Sequence, residues 1–103
     1  MAWTFAAAVE AFGDRDVIGV ICEGRRLAVY RLGGAYFATS DACPHQGASL
    51  SEGCVVEHYI ECPAHFALFN IRTGESCGGP TEQGVKTYAT RVEGGEVHVD
   101  IHA

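Results

Sequence analysis

Four side chains in one short stretch carry the chemistry of this sequence. Cys43-Pro44-His45-Gln46-Gly47 opens the stretch and Cys62-Pro63-Ala64-His65 closes it, with sixteen residues between His45 and Cys62. Each end offers one thiolate and one imidazole, so the two loops brought together make a four-ligand metal site of mixed softness. Sulfur and nitrogen donors suit zinc or iron–sulfur chemistry. The order of the ligands bears on the choice. Structural zinc sites usually pair Cys with Cys and His with His, as C-x₂₋₄-C followed by H-x₃₋₅-H. Here each loop carries one of each, as C-x-H and then C-x-x-H. If like ligands go to like metals, one iron takes Cys43 and Cys62, a second takes His45 and His65, and two sulfides bridge them.

A 2Fe–2S cluster with two His in place of two Cys on one iron is a Rieske centre. The pattern C-x-H-x₁₆-C-x-x-H is complete at Cys43, His45, Cys62 and His65. On these residues the chain resembles the Rieske family; a structural zinc domain, colourless and redox-silent, is a rival. The chain length and the later Gly74…Pro80 segment also resemble small Rieske ferredoxins, so the likeness covers most of the sequence. It implies an all-β Rieske fold over a single domain, 1–103, with an antiparallel β-sandwich or barrel base and a small cluster-binding subdomain near 42–82. It implies one Rieske-type 2Fe–2S cluster, with Cys43 and Cys62 on the inner iron and His45 and His65 on the outer. In the family the outer imidazole edges reach solvent, where a partner can touch them.

Such a cluster needs deprotonated sulfurs and neutral imidazoles, and the charge on iron holds the thiols as thiolates. Gly47 stands where the first Rieske loop commonly has Gly, and a chain wrapping this closely needs tolerance for unusual φ. Pro44 and Pro63 stiffen the two loops. Pro80, after Gly78-Gly79, matches a proline that in the family packs over the cluster from a third loop; it reads equally as a turn proline. His58, His98 and His102 have no ligand spacing, and the last two read as surface residues.

The departures from the family pattern are informative. High-potential members of cytochrome bc complexes carry an extra Cys in each ligand loop, joined as a disulfide; those positions here are Ala48 and Ala64. They also carry Ser and Tyr hydroxyls two and four residues past the second His, bonding to cluster sulfurs; here these are Ala67 and Phe69. Hydrogen bonds to sulfur stabilise the more negative reduced cluster, so their loss lowers the potential. The chain therefore resembles the low-potential branch, the ferredoxins of bacterial aromatic-ring-hydroxylating dioxygenases. Phe66 stands where Gly is common after the second His, either widening the apolar cover of the site or changing what a partner meets.

Composition sets the outer bounds. The 103 residues make one domain. A chain of this size buries on the order of 60–70% of its unfolded surface. Hydrophobic content is 48% and charged content 19%, an ordinary globular balance. The net charge of −6 argues against nucleic acid and anionic membranes, which need basic patches. It favours a basic protein partner, or serves solubility alone. No apolar run approaches the ~18–20 residues of a membrane helix, and the start, Met1-Ala2-Trp3-Thr4-Phe5, lacks the basic region of a signal peptide. A cytoplasmic protein is expected. Beyond the two ligand cysteines stand Cys22, Cys54 and Cys77, an odd set expected as thiols in a reducing compartment. Cys22 ends an apolar run and reads as a small buried hydrophobe.

The elements around the site read mainly as short strands. Residues 4–13, with Ala6-Ala7-Ala8-Val9-Glu10-Ala11-Phe12, suggest a short helix or turn ended by Gly13. Residues 16–22 are β-branched and predict a strand. A second strand follows over 26–32, with Leu27, Val29 and Arg31 on one face. Gly33-Gly34 makes a hairpin turn, and residues 35–39 run back toward Cys43. Val55-Val56 and residues 58–61 predict a hairpin delivering Cys62, and residues 67–71 a strand leaving the second loop. Residues 75–84 read as an ordered loop. Residues 85–92 and 97–101 predict strands joined by Glu93-Gly94-Gly95-Glu96. Many short strands with frequent turns imply an all-β sandwich or barrel.

The expected function is one-electron carriage, not catalysis. The resemblance implies a flavin reductase, fed by NAD(P)H, as the donor, and a terminal Rieske non-haem iron oxygenase that hydroxylates aromatic rings as the acceptor. Transient docking through the His45/His65 tip, by a monomer, is expected. The chain lacks the two-His-one-carboxylate iron site of the oxygenase and the G-x-G-x-x-G loop of a nucleotide-binding reductase. The alternative is a small Rieske-like subunit of a stable redox complex such as nitrite reductase, many of which lose ligands that are all present here.

Overall fold

The computed structural model describes residues 3–44, 48–64, 67–79 and 83–101. Among them the strands run β1 (Trp3–Ala8), β2 (Val17–Cys22), β3 (Arg25–Leu32), β4 (Ala35–Ser40), β5 (Cys54–Val56), β6 (Tyr59–Glu61), β7 (Leu68–Asn70), β8 (Ser76–Gly78), β9 (Thr87–Tyr88), β10 (Thr90–Glu93) and β11 (Glu96–Asp100). They form three antiparallel sheets, ordered β1-β11-β10, β2-β3-β4-β9 and β5-β6-β7-β8. The described helical segments are single 3-10 turns, Val9–Phe12 and Leu50–Glu52. No helix among the described residues is long and apolar enough to cross a membrane.

Strand β3 explains the layering. Its residues Leu27, Ala28, Val29 and Tyr30 are all buried. Because successive side chains of a strand point to opposite faces, Leu27 and Val29 enter one core while Ala28 and Tyr30 enter another. The first core joins Phe12, Ile18, Ala38, Val97, Val99 and Ile101, between the β1 sheet and the β2 sheet. The second joins Val17, Leu50, Ile60, Phe69 and Ile71, between the β2 sheet and the β5 sheet, and it contains Cys43 and Cys62. The middle sheet is thus buried on both faces, with the site-bearing segments on one of them. The expectation for β3 named only the Leu27/Val29 face. Arg31 keeps to that side, with its guanidinium over the Phe12 ring and donating to the carbonyls of Gly13 and Arg15.

Tyr30 brings the polar atom of this inner layer. Its hydroxyl pairs with Thr39 Oγ1 at 2.9 Å, and Thr39 donates on to the Ser40 carbonyl. Burial raises the phenol pKa, the Thr39 bond lowers it and the Asp41 charge raises it; the net shift is upward, so the ring stays neutral.

Three predicted elements differ. Of residues 4–13, the first five belong to β1, where pairing with β11 overrides the helix propensity of the alanines, and the expected short helix or turn ended by Gly13 is confined to the 3-10 turn Val9–Phe12. A bulge between Phe5 and Ala7 turns two successive side chains, Ala6 and Ala7, into the core, which hides the usual alternation. Residues 75–84 contain β8, paired with β7. The expected strand 85–92 is two strands. The chain leaves β9, paired with β4, and changes sheets at Ala89 to form β10 beside β11. The hairpins at Gly33-Gly34 and Gly94-Gly95 follow expectation. Both central residues have positive φ, 54° and 88° in one and 59° and 78° in the other, as turns matching strand twist require.

Candidate metal centre

Each cysteine of the predicted ligand set opens a loop closed in the same way. The Cys43 amide donates to the Ala48 carbonyl at 2.8 Å, and the Cys62 amide donates to the Ala67 carbonyl at 2.7 Å. Each bond encloses four residues, Pro44-His45-Gln46-Gly47 in the first loop and Pro63-Ala64-His65-Phe66 in the second. His45, Gln46, Gly47, His65 and Phe66 lie outside the described residues, as do Pro80 and His102. What the structure brings together is the sulfur half of the predicted set. Cys43 and Cys62 are both buried, 2% and 0% exposed, in one group of packed side chains.

The supports of the two loops differ. The second loop projects from a regular ladder, β6 paired with β7 through Tyr59↔Asn70, Ile60↔Phe69 and Glu61↔Leu68. The first stands on a short stem at the end of β4, where Ala42 bridges Ser49 and the Leu50 amide donates to the Asp41 carbonyl at 2.7 Å. A third segment leans on the second loop. Gly79 has φ +99°, and a Cβ there would fall 2.5 Å from Ala67 Cα. Glycine alone lets the backbone approach so closely. This third segment is closed at its neck by the Val85 amide donating to the Gly74 carbonyl at 2.8 Å.

The donor set fits a mixed-ligand 2Fe–2S cluster. Two buried thiols lie in an apolar environment, and no cysteine is joined in a disulfide. A metal held by these two side chains would take them as thiolates. Ala67 and Phe69, where a hydroxyl-bearing site would have Ser and Tyr, are both fully buried in the same group. Among the described residues no three His, Cys, Asp or Glu side chains gather elsewhere as a second metal site.

The remaining cysteines separate by exposure. Cys22 is buried, its thiol 3.5 Å from the Phe5 carbonyl, and burial, with the Glu23 charge adding, raises its pKa. It is the inert hydrophobe expected. Cys54 and Cys77 are exposed. His98 is half-buried against the Phe5 ring and 3.2 Å from Glu96.

Sequence reasoning missed the polar group beneath the first loop. Asp41 is 4% exposed; its Oδ1 accepts the Ser51 amide at 2.8 Å, and its Oδ2 lies 3.4 Å from Arg26 Nη2. The same Arg26 nitrogen donates to Ser49 Oγ at 2.6 Å. The available signal was an acid two residues before Cys43, the first cysteine of the predicted ligand set.

Residues 2–89 match the family described as Rieske [2Fe-2S] domain. The ferredoxin component of a naphthalene 1,2-dioxygenase system from Pseudomonas aeruginosa is 37% identical over 99 residues, covering 96% of this chain and 95% of that one. The ferredoxin component of a p-cumate 2,3-dioxygenase system from Pseudomonas putida is 44% identical over 81 residues, 78% of this chain and 69% of that one. Among solved structures, a Sphingomonas yanoikuyae B1 ferredoxin superposes with TM-score 0.86 at 34% identity, covering 93% of this chain and 95% of that one. A chain in the complex of reduced oxygenase and oxidized ferredoxin of carbazole 1,9a-dioxygenase superposes with TM-score 0.85 at 37% identity, covering 94% and 91%.

Proposed function

The chain belongs to the Rieske 2Fe–2S family, and from that premise we propose that it carries single electrons to the terminal oxygenase of an aromatic-ring dioxygenase system. The observation that carries the reading is the pair of buried cysteines, each opening a loop closed by the same amide-to-carbonyl bond, each followed within that loop by one histidine. Cys43 and Cys62 hold one iron of a Rieske-type 2Fe–2S cluster, and His45 and His65 hold the other. When bound, the cluster supplies reversible one-electron chemistry. The protein's part is to bind and bury it, to keep sulfur donors dry and to set its potential.

Residues 42–82 form the cluster-binding part of a single domain spanning 1–103. The β6–β7 hairpin and the Asp41 stem hold its two ligand loops, and the middle sheet serves as their floor. The apolar residues at 67 and 69 leave the reduced state without hydroxyl donors, which keeps the potential low. Electrons enter from a flavin-containing NAD(P)H-dependent reductase and leave through the His45/His65 edge, with a monomer docking transiently on each partner. Residues 42–82 hold Glu52, Glu57, Glu61, Glu75 and Glu82 against one basic residue, Arg72. This excess supports a basic face on the partners, because complementary charge speeds encounter. Thiols on the exposed Cys54 and Cys77 fit the reducing cytoplasm.

Reconstitution tests the reading. The purified protein is added to the reductase and terminal oxygenase of a naphthalene dioxygenase system with NADH. Oxygenase turnover that depends on this chain is expected. An oxidised cluster that accepts no electron from the reductase, together with no turnover, contradicts it.

A further inference from the structure

The first ligand loop stands on little more than its own stem, and the stem is built around one buried carboxylate. Every hydrogen-bonding handle of Asp41 is used. Its amide donates to the Arg26 carbonyl at 3.1 Å, and its carbonyl accepts from the Leu50 amide. Its side chain takes the Ser51 amide on one oxygen and faces Arg26 on the other. Arg26 continues to Ser49 Oγ, so β3, the end of β4 and the returning limb of the loop meet at this residue. Strand β2 makes room for the arrangement. A Cβ on Gly19 would fall 2.5 Å from Ser51 Oγ and 3.8 Å from Asp41 Oδ2.

We infer that Asp41 is a positioning residue for the cluster: its carboxylate, held between Ser51 and Arg26, sets the spacing of the stem that presents Cys43 and the first loop. The inference rests on Cys43 being a cluster ligand. The two limbs of the stem, Asp41–Cys43 and Ala48–Ser51, are joined at one bridge, Ala42↔Ser49, made by the Cys43-to-Ala48 and Leu50-to-Asp41 amide-to-carbonyl bonds, and the Asp41 amide ties the first limb to Arg26 of β3. The carboxylate adds the cross-link that a ladder gives the second loop. A buried acceptor of a backbone amide cannot be removed without leaving that amide unpaired. Loss of Asp41 therefore loosens the loop at its root and changes the field and the ligand geometry felt by the inner iron. Removing a buried negative charge near a cluster that gains an electron favours the reduced form.

The test compares the holoprotein with Asp41→Asn, Asp41→Ala, Ser49→Ala and a control, Val99→Ala. The control opens a cavity in the other core, where Val99 is fully buried. Cluster release to an iron chelator is measured at a fixed interval below each melting temperature, with the EPR spectrum of the reduced protein and its potential. Release at least tenfold faster is expected for Asp41→Ala, with a shifted EPR line shape. Asp41→Asn keeps an oxygen for Ser51 and should fall between. Its reduction equilibrium should move at least threefold toward the reduced form, about 28 mV upward at 59 mV per tenfold change. Val99→Ala should change neither reading. If Asp41→Ala does not fold, Asp41→Asn and Ser49→Ala carry the same comparison. Aspartate variants that match the control in both release rate and spectrum overturn the inference. A parent protein without iron and sulfide overturns the ligand assignment as well, and iron content alone distinguishes that case.

Discussion

Adding a hydroxyl at Phe69 or Ala67 should raise the reduction potential, and the size of the rise follows from where these side chains lie. Both are fully buried in the group that holds Cys43 and Cys62. Phe69 is fixed on β7 between Ile60 on β6 and Ser76 on β8. A phenol O–H introduced there has no water to bond, and an unsatisfied buried donor costs about 1–3 kcal/mol. A cluster sulfur offers an acceptor, and the bond is stronger in the more negative reduced state. A gain of about 1 kcal/mol on reduction, typical of one net hydrogen bond, corresponds to about 40 mV at 59 mV per tenfold change. The parent value expected is near the bottom of the Rieske range, about −150 mV. Voltammetry of the parent, Phe69→Tyr and Ala67→Ser, with thermal melts, is the assay. An upward shift of tens of millivolts with little loss of stability is the expected result. A loss of about 1–3 kcal/mol with an unmoved potential would show that neither side chain faces the sulfurs. A parent potential well above zero would refute the low-potential assignment itself.

Three further outcomes are expected. Cys62→Ser should reduce iron and sulfide to background, measured on purified protein, since a buried position with one fewer thiolate no longer completes the inner iron; unchanged iron content would refute the assignment. Electron transfer to the oxygenase should slow as salt rises from low to physiological ionic strength, where exposed charges are screened within about 8 Å; salt-independent rates would assign the acidic surface to solubility alone. Gly53→Ala should destabilise the fold by about 3 kcal/mol or more in urea titration, toward the upper end of overpacking costs, because its Cβ would fall 1.9 Å from the Glu61 carbonyl oxygen, one residue before Cys62; a loss under about 1 kcal/mol would show that this backbone contact relaxes freely.

The cluster type was legible because its chemistry is local. A thiolate and an imidazole two or three residues apart, twice over, constrain the metal more than any long-range feature does. The strands flanking the loops were legible for the same reason, since β-branched runs and Gly-Gly turns act within a few residues. What was hidden depends on distant partners. The alanines of β1 read as part of a short helix or turn because their pairing with β11 lies some ninety residues away. The break at Ala89 exists because β9 and β10 belong to different sheets, which no local pattern records. Burial of Ala28 and Tyr30 depends on a third sheet covering the middle one. The Arg26–Asp41–Ser49–Ser51 group joins residues on both sides of the first loop, and only folding brings Arg26 beneath it.

The ligand set is the centre of this account, and pulsed EPR of the reduced protein labelled with ¹⁵N-histidine tests it most directly. One unpaired electron per two irons, coupled strongly to two imidazole nitrogens, is the predicted result, with the coupling to one nitrogen lost on replacing His45 or His65. A reduced cluster without histidine nitrogen coupling, or couplings that survive both replacements, would contradict the assignment of Cys43, His45, Cys62 and His65 as a Rieske centre.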